Sequence, residues 1–208
     1  TNYTCGGSFH EGAAASITGK LDIRPAAGVA VDALVIPNTV NLSAAQDPLK
    51  TVANIQGHLK NSATPGIDVI NFSLGSEIPT NNLSFSEVMA TVDKLPLTEP
   101  INAVITVAAG NGGTACAADN LNGCNAIAVS LAFQAQTKAS TIVVGALTGA
   151  GREENITAYS TRGGILANRF ILAHGDTGFY PDVKGTSFAA PRVAGVAAIL
   201  KQKFPALT

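Results

Sequence analysis

Short apolar runs separated by polar and glycine-rich segments form the main pattern of this chain. Most of these runs lack strict alternation of apolar and polar residues, which is typical of strands buried on both faces of a parallel sheet. They cover residues 31–38, 67–73, 103–110, 141–147 and 169–173. The pattern therefore predicts a series of buried strands.

Helical patterns lie between several of the runs. Asp47 and Pro48 open one of them, in which apolar residues recur on one helical face at Leu49, Val52, Ile55 and Leu59. Ser84 and Glu87 match the S-x-x-E capping box and predict a second helix that ends near Leu95. Strands alternating with helices predict an α/β fold, a doubly wound, mostly parallel sheet with helices on both faces.

A third helix is predicted within GTSFAAPRVAGVAAIL, Gly185 to Leu200. Pro191 lacks an N–H and is tolerated in the first turn of a helix, so we expect the helix to begin close to Ser187. The apolar stretch from Val193 to Leu200 indicates that this helix is buried. Ser187 is thus a hydroxyl at the positive end of a helix, between small residues that leave room for another group.

Composition sets the broad class of protein. With 208 residues, 46% of them apolar and 13% charged, the chain is long enough for one large globular domain, residues 1–208. A net charge of −1 and an aromatic content of 5% do not favour a nucleic-acid partner or an anionic membrane. The apolar runs are much shorter than the roughly 20 residues that span a bilayer. The chain begins at Thr1 without a visible signal peptide, and we interpret it as a mature or trimmed product.

Cys116 and Cys124 flank a polar, turn-rich segment, CAADNLNGC. This segment could close as a small disulfide ring, which we expect, and two free thiols are the alternative. No His lies within it, so a zinc site is not expected. Cys5 is then left over, which is a second hint of sequence upstream.

Functional groups gather at the carboxyl ends of strands in sheets of this kind. One predicted strand ends in Ser73-Leu74-Gly75-Ser76, and another ends in Gly110-Asn111-Gly112-Gly113. Taken alone, Asn111 is typical of a turn, and His10, within SFHEGAAASITG, is typical of a surface residue. In chain order, however, His10, Asn111 and Ser187 supply a base, an oxyanion donor and a nucleophile.

These motifs resemble those of the subtilisin-family serine peptidases (subtilases). GTSFAAPRVAGVAA resembles the family's nucleophile motif, G-T-S-x-A-x-P-x-V-A-G, at every fixed position. DVINFSLG resembles the strand that pairs with the substrate backbone, and VAAGNGG resembles the segment that carries the oxyanion Asn. AYSTRG resembles the S-x-x-G turn ahead of the nucleophile. The resemblance extends over nearly the whole chain.

The resemblance implies hydrolysis of peptide bonds in a polypeptide substrate. Ser187 would be the nucleophile, His10 the general base, and Asn111 with the Ser187 backbone N–H the oxyanion site. The substrate would run beside Ser73, Leu74 and Gly75. The residue before the scissile bond would enter a roomy pocket formed in part by Ala108, Ala109 and Gly110. The family and the disulfide together imply a secreted or extracytoplasmic protein.

Two features depart from the family pattern. Glu11-Gly12 follows His10 where the family normally has Gly-Thr, although the small residues of the next helix are retained. No Asp precedes His10, whereas the family order is Asp, His, Ser. Asp176, within DTG, lies in a loop shortly before Ser187 and is in the wrong context for that role. We therefore expect the catalytic Asp on an upstream segment that is cleaved yet associated, or otherwise outside this sequence.

A catalytically inactive, protease-like binding module is the alternative function, favoured by the missing Asp and the altered His motif. A lipase-type hydrolase would need a G-x-S-x-G elbow, and a sedolisin-type acid peptidase would need an Asp in place of Asn111. His58 and His174 are weaker candidates for the base. No cofactor is expected: calcium is common in the family, but Asp119 to Gly123, DNLNG, is only a weak candidate loop for it.

Overall fold

A largely parallel sheet forms the centre of the chain in a computed structural model, which describes residues 29–30, 32–36, 47–62, 66–75, 83–94, 97–149, 154–176 and 183–206. Its strands are β1 (Val69–Phe72), β2 (Val104–Ala108), β3 (Thr141–Thr148), β4 (Asn155–Ile156) and β5 (Phe170–His174). β1, β2, β3 and β5 run parallel, with β2 between β1 and β3, and β5 beside β3. The short β4 pairs antiparallel with the end of β3. The strands predicted at 67–73, 103–110, 141–147 and 169–173 are thus confirmed.

The helices are α1 (Pro48–Ser62), α2 (Phe85–Asp93), α3 (Ala126–Phe133) and α4 (Thr186–Lys203), with a 3-10 helix at Gly164–Arg169. The capping box of α2 is present: Ser84 N donates to Glu87 Oε2 at 2.8 Å, and Glu87 N donates to Ser84 Oγ at 3.3 Å. The pattern did not predict α3. Residues 126–132 of α3 are all buried, so no polar face gives the segment a helical period.

The two faces of the sheet carry different helices. On one face, Ala189, Ala190 and Val193 of α4 pack with Ala108 of β2 and Val144 of β3. On the other face, alternate residues of β2 and β3 join a core with residues of α1, α2 and α3. The predicted α/β architecture with helices on both faces is therefore confirmed. Among the helices that the structure describes, none has the length and apolarity that crossing a membrane requires.

Residues 32–36 form no strand, contrary to the prediction for 31–38, and Leu34 and Ile36 are exposed. Within the described residues the sheet ends at β1, which pairs with β2 alone. No described strand pairs with residues 32–36.

The prediction for α4 also needs correction. Its side that faces the sheet is buried, but Val196, Ile199 and Leu200 are each about half exposed. Pro191 lies in the second turn rather than the first, because the helix begins at Thr186. Its missing N–H removes the helical hydrogen bond to the Ser187 carbonyl.

Candidate active site

Ser187 is the second residue of α4, as the sequence predicted, and its side chain is almost buried. The segment before it is fixed by backbone hydrogen bonds. Gly185 N donates to Gly175 O at 2.8 Å, and Phe188 N donates to Gly185 O at 3.0 Å. The Ser187 hydroxyl therefore lies at the N-terminal end of a helix, where the helix dipole favours negative charge.

Asn111 is exposed and is held by the residue that precedes Ser187. Its Oδ1 accepts hydrogen bonds from Thr186 N at 2.9 Å and from Thr186 Oγ1 at 3.1 Å. Because two donors identify this atom as the oxygen, the amide nitrogen forms the other end of the side chain. A Cβ built on Gly185 would lie 3.5 Å from that nitrogen, so the glycine leaves space beside the amide. The structure thus binds Asn111 to Thr186, the residue that precedes Ser187.

Thr186 also fastens the end of β2. Its Oγ1 accepts from Gly110 N at 3.2 Å while donating to Asn111, so both functions of the hydroxyl are used. Gly110 has a φ of 108°, a conformation that side-chain-bearing residues rarely adopt. The sequence contained a signal for this contact, because Thr186 is a fixed position of the nucleophile motif.

Residues 110–113, which we call the oxyanion loop, lie beside a second segment, residues 159–162. Gly113 N donates to Tyr159 O at 2.8 Å, and Arg162 N donates to Thr114 O at 2.8 Å. The AYSTRG segment therefore runs alongside the oxyanion loop and supports it through backbone hydrogen bonds.

Cys116 and Cys124 form a disulfide, as expected, and both residues are buried. The bond closes residues 116–124, the disulfide loop, next to the oxyanion loop. Thr114 Oγ1 donates to Asn122 O at 2.9 Å, which ties the two loops together. Cys5 lies outside the described residues.

The segments expected to bind substrate lie at the ends of β1 and β2, joined by Asn125, which the sequence analysis missed. Asn125 Nδ2 donates to Leu74 O at 3.2 Å and to Ala108 O at 2.6 Å, while its Oδ1 accepts from Ile127 N and caps α3. A Cβ on Gly75 would lie only 2.7 Å from this amide nitrogen. The detectable signal was an Asn directly before an apolar run, which is typical of an N-cap.

The segments expected to line the substrate pocket differ in exposure. Ser73 and Leu74 are half-buried and Gly75 is exposed, whereas Ala108, Ala109 and Gly110 are all buried. The side chain of Asn125 is itself buried between the two strand ends.

His10, expected to be the base, lies outside the described residues. His174 Nε2 lies 3.3 Å from Glu154 Oε1, and its Nδ1 lies 4.0 Å from Asp176 Oδ2. Arg192 donates a hydrogen bond to the His174 carbonyl, and burial lowers the pKa of its guanidinium. Burial likewise raises the pKa of Tyr159, whose hydroxyl donates to Gly175 O at 3.3 Å. Asp176 and His174 therefore belong to a charged cluster of their own.

The loop DNLNG, the weak calcium candidate, uses one of its side-chain oxygens within its own turn. Asn120 Oδ1 accepts from Asn122 N at 3.0 Å, so it serves the turn itself, and Asp119 is exposed. Among the residues that the structure describes, no group of three or more His, Cys, Asp or Glu side chains could hold a metal ion.

The structure thus places a serine at a helix start beside an exposed Asn side chain, at the carboxyl edge of a parallel sheet. The family model for the subtilase family matches residues 7–208, and the chain belongs to that family. This membership supports a serine peptidase in general. A comparison with curated protein sequences gives no match.

Solved structures with a similar fold include MycP1 with its N-terminal propeptide removed. It is 20% identical in sequence, and the match covers 94% of this chain and 67% of that chain with a TM-score of 0.53. The MycP3 protease from a type VII secretion system is 21% identical, and the match covers 95% of this chain and 62% of that chain with a TM-score of 0.52. A cold adapted subtilisin-like serine proteinase is 21% identical over 81% of this chain and 53% of that chain, with a TM-score of 0.48. At these identities the likeness concerns the fold alone. The chain spans about half the length of several solved structures that it matches.

Proposed function

We propose that residues 1–208 are a subtilisin-like peptidase domain and that the protein is a serine endopeptidase. Ser187 Oγ attacks the carbonyl carbon of a peptide bond while His10 takes its proton. His10 then gives the proton to the leaving amine, and water releases the acyl group by the same steps in reverse. The Asn111 amide and the Ser187 backbone N–H stabilise the tetrahedral oxyanion.

One observation carries the proposal: the residue before Ser187 holds the Asn111 side chain by two hydrogen bonds to its oxygen. This contact joins the end of β2 to the start of α4. A carbonyl attacked by Ser187 Oγ would develop its negative charge near the amide nitrogen. A donor fixed in advance needs no reorganisation when the charge forms.

His10 needs a carboxylate to orient its imidazole, and we propose that an associated segment outside this sequence supplies it. The carboxylate fixes the tautomer in which the second ring nitrogen can accept the serine proton. Loss of this group in serine proteases lowers kcat by about 10⁴. The activity of the 208-residue chain is therefore expected to depend on that segment.

The proposed substrate is an extended polypeptide that pairs beside Ser73 to Gly75 as an added strand. We propose that the residue before the scissile bond enters a roomy pocket formed in part by Ala108, Ala109 and Gly110. We also propose secretion or another extracytoplasmic location, since the disulfide would be reduced in most cytosols.

Covalent labelling with a fluorophosphonate tests the proposed function. An isolated serine hydroxyl is too weak a nucleophile to react, so labelling requires an activated Ser187. In a longer chain that carries the upstream carboxylate, we expect strong labelling that disappears in Ser187→Ala and falls steeply in His10→Ala. Labelling of the 208-residue chain should be slow or absent.

Ser84→Ala provides a matched control, because Ser84 also lies at the start of a helix and caps α2. Its loss should leave labelling unchanged. If the longer chain is folded and still fails to label at Ser187, the peptidase proposal is wrong, and the inactive binding module takes its place.

A further inference from the structure

The buried side chain of Thr161 lies between the oxyanion loop and the disulfide loop. Thr161 N donates to Gly110 O at 3.0 Å. Thr161 Oγ1 accepts from Gly112 N at 3.3 Å and donates to Gly123 O at 2.9 Å. One residue thus binds the backbone on both sides of Asn111 and connects it to the neighbouring loop.

The hydroxyl of Thr161 is held in one orientation by its hydrogen-bond partners. A hydroxyl has one proton to donate, and here the proton goes to Gly123 O while a lone pair takes the Gly112 N–H. A Cβ built on Gly110 would lie 3.0 Å from Thr161 Oγ1, so the hydroxyl also packs directly against that glycine. Removing the hydroxyl would leave two backbone groups without this partner and a gap beside the loop.

The disulfide gives Thr161 a fixed point of attachment. Gly123 precedes Cys124, and the bond between Cys116 and Cys124 closes the loop that contains it. Thr186 holds the Asn111 side chain, whereas Thr161 holds the backbone from which that side chain projects. The two threonines therefore fix different parts of the same donor.

We propose that Thr161 is a positioning residue for the oxyanion donor, linking the Asn111 backbone to the disulfide loop. The inference rests on the proposed role of Asn111. Displacement of a catalytic group by about 1 Å can cost about 100-fold in rate. Loss of the Thr161 hydroxyl should therefore reduce kcat by about 10- to 100-fold without a comparable change in KM.

Thr161→Val tests this inference in the longer chain that carries the upstream carboxylate, because valine keeps the shape of threonine and lacks the hydroxyl. Thr161→Ser, which retains the hydroxyl, should recover most of the lost kcat. Thr137→Val is the matched control. Thr137 is also buried, and its hydroxyl donates to Leu131 O at 2.7 Å, shortly before the N-terminal end of β3. It should lower the melting temperature and leave kcat unchanged. If Thr161→Val does not fold, Thr161→Ala replaces it.

A second measurement does not depend on hydrolysis. Nuclear magnetic resonance of the wild type, Thr161→Val and Thr137→Val reports the side-chain amide signals of Asn111 and the hydrogen exchange of the Gly112 N–H. Thr161→Val should shift the Asn111 signals and accelerate Gly112 exchange, and Thr137→Val should do neither.

The two measurements separate the inference from the proposed function. If Thr161→Val retains the kcat of Thr137→Val, the positioning role is wrong. If the wild type does not hydrolyse peptides at all, the proposed function fails. In that case unchanged Asn111 signals and Gly112 exchange in Thr161→Val would also overturn the structural link, and a change in both would support it.

Discussion

Replacing Asn111 by Asp should separate the fixing of the side chain from its ability to donate a hydrogen bond. Asp keeps an oxygen where Thr186 N and Thr186 Oγ1 now donate to Asn111 Oδ1. It substitutes a carboxylate oxygen for the amide nitrogen, so the group that would face the oxyanion becomes an acceptor with negative charge. We therefore expect a well-folded protein that has lost most of its activity.

The expected changes in stability and in kcat follow from the two hydrogen bonds to Asn111 Oδ1 and from the loss of the amide donor. Bonds to a charged acceptor are roughly twice as strong as neutral ones, so the Thr186 contacts should be retained in Asn111→Asp. Asn111→Ala loses both contacts and should unfold more easily by about 1–3 kcal/mol. Removal of one oxyanion donor costs about 10²- to 10³-fold in kcat, a magnitude measured in subtilisin, a relative of this chain. Both variants should lose at least that much, with little change in KM.

The assay is steady-state hydrolysis of a chromogenic peptide by the longer chain that carries the upstream carboxylate, with melting temperatures measured on the same preparations. Asn120→Ala is the control, since Asn120 is also exposed and its Oδ1 also accepts a backbone hydrogen bond. It should retain full kcat. A loss of only a few-fold in kcat for Asn111→Asp, in a protein that melts like the wild type, would show that Asn111 is not the oxyanion donor.

Three further predictions concern the parts that support the site. Hydrogen bonds from the Ser84 backbone N–H and hydroxyl lower the pKa of Glu87. The stabilising effect of the Glu87 carboxylate is therefore present above its unfolded pKa and is lost as pH falls through its folded pKa. Urea midpoints of the wild type and Glu87→Gln should converge in acid, and a constant difference would contradict this. Asn125→Ala should reduce the free energy of unfolding by about 2–4 kcal/mol, measured by denaturant titration, because buried carbonyl groups lose their donor; a loss below 1 kcal/mol, roughly one exposed hydrogen bond, would contradict it. Replacing Cys116 and Cys124 by Ser should cost about 2.5 kcal/mol, and mass spectrometry of the unreduced digest should show the linked peptide rather than two alkylated thiols.

The sequence predicted the elements whose local signals agree with their surroundings. Ser84 and Glu87 specify the start of α2 by themselves, and buried parallel strands need only a continuous apolar run. Residues 32–36 have the same composition as those strands, but a strand also requires a neighbour, and none of the described strands lies beside them. α3 was not predicted for the opposite reason. Because it is buried on all sides, its sequence lacks the alternation of apolar and polar residues by which a helix is detected.

The candidate site divides in a similar way. Motifs led us to propose Asn111 and Ser187 as donor and nucleophile, because chemistry restricts which residue types can take these roles. Thr161 lies within the AYSTRG motif and Asn125 precedes an apolar run as an N-cap does, but neither signal shows which distant groups the side chain binds. Those partners are backbone groups distant in sequence, so no local pattern marks the contact. The geometry of such a donor is therefore determined by residues whose types the chemistry does not dictate, and Thr161→Val is the variant that measures how much of the activity depends on them.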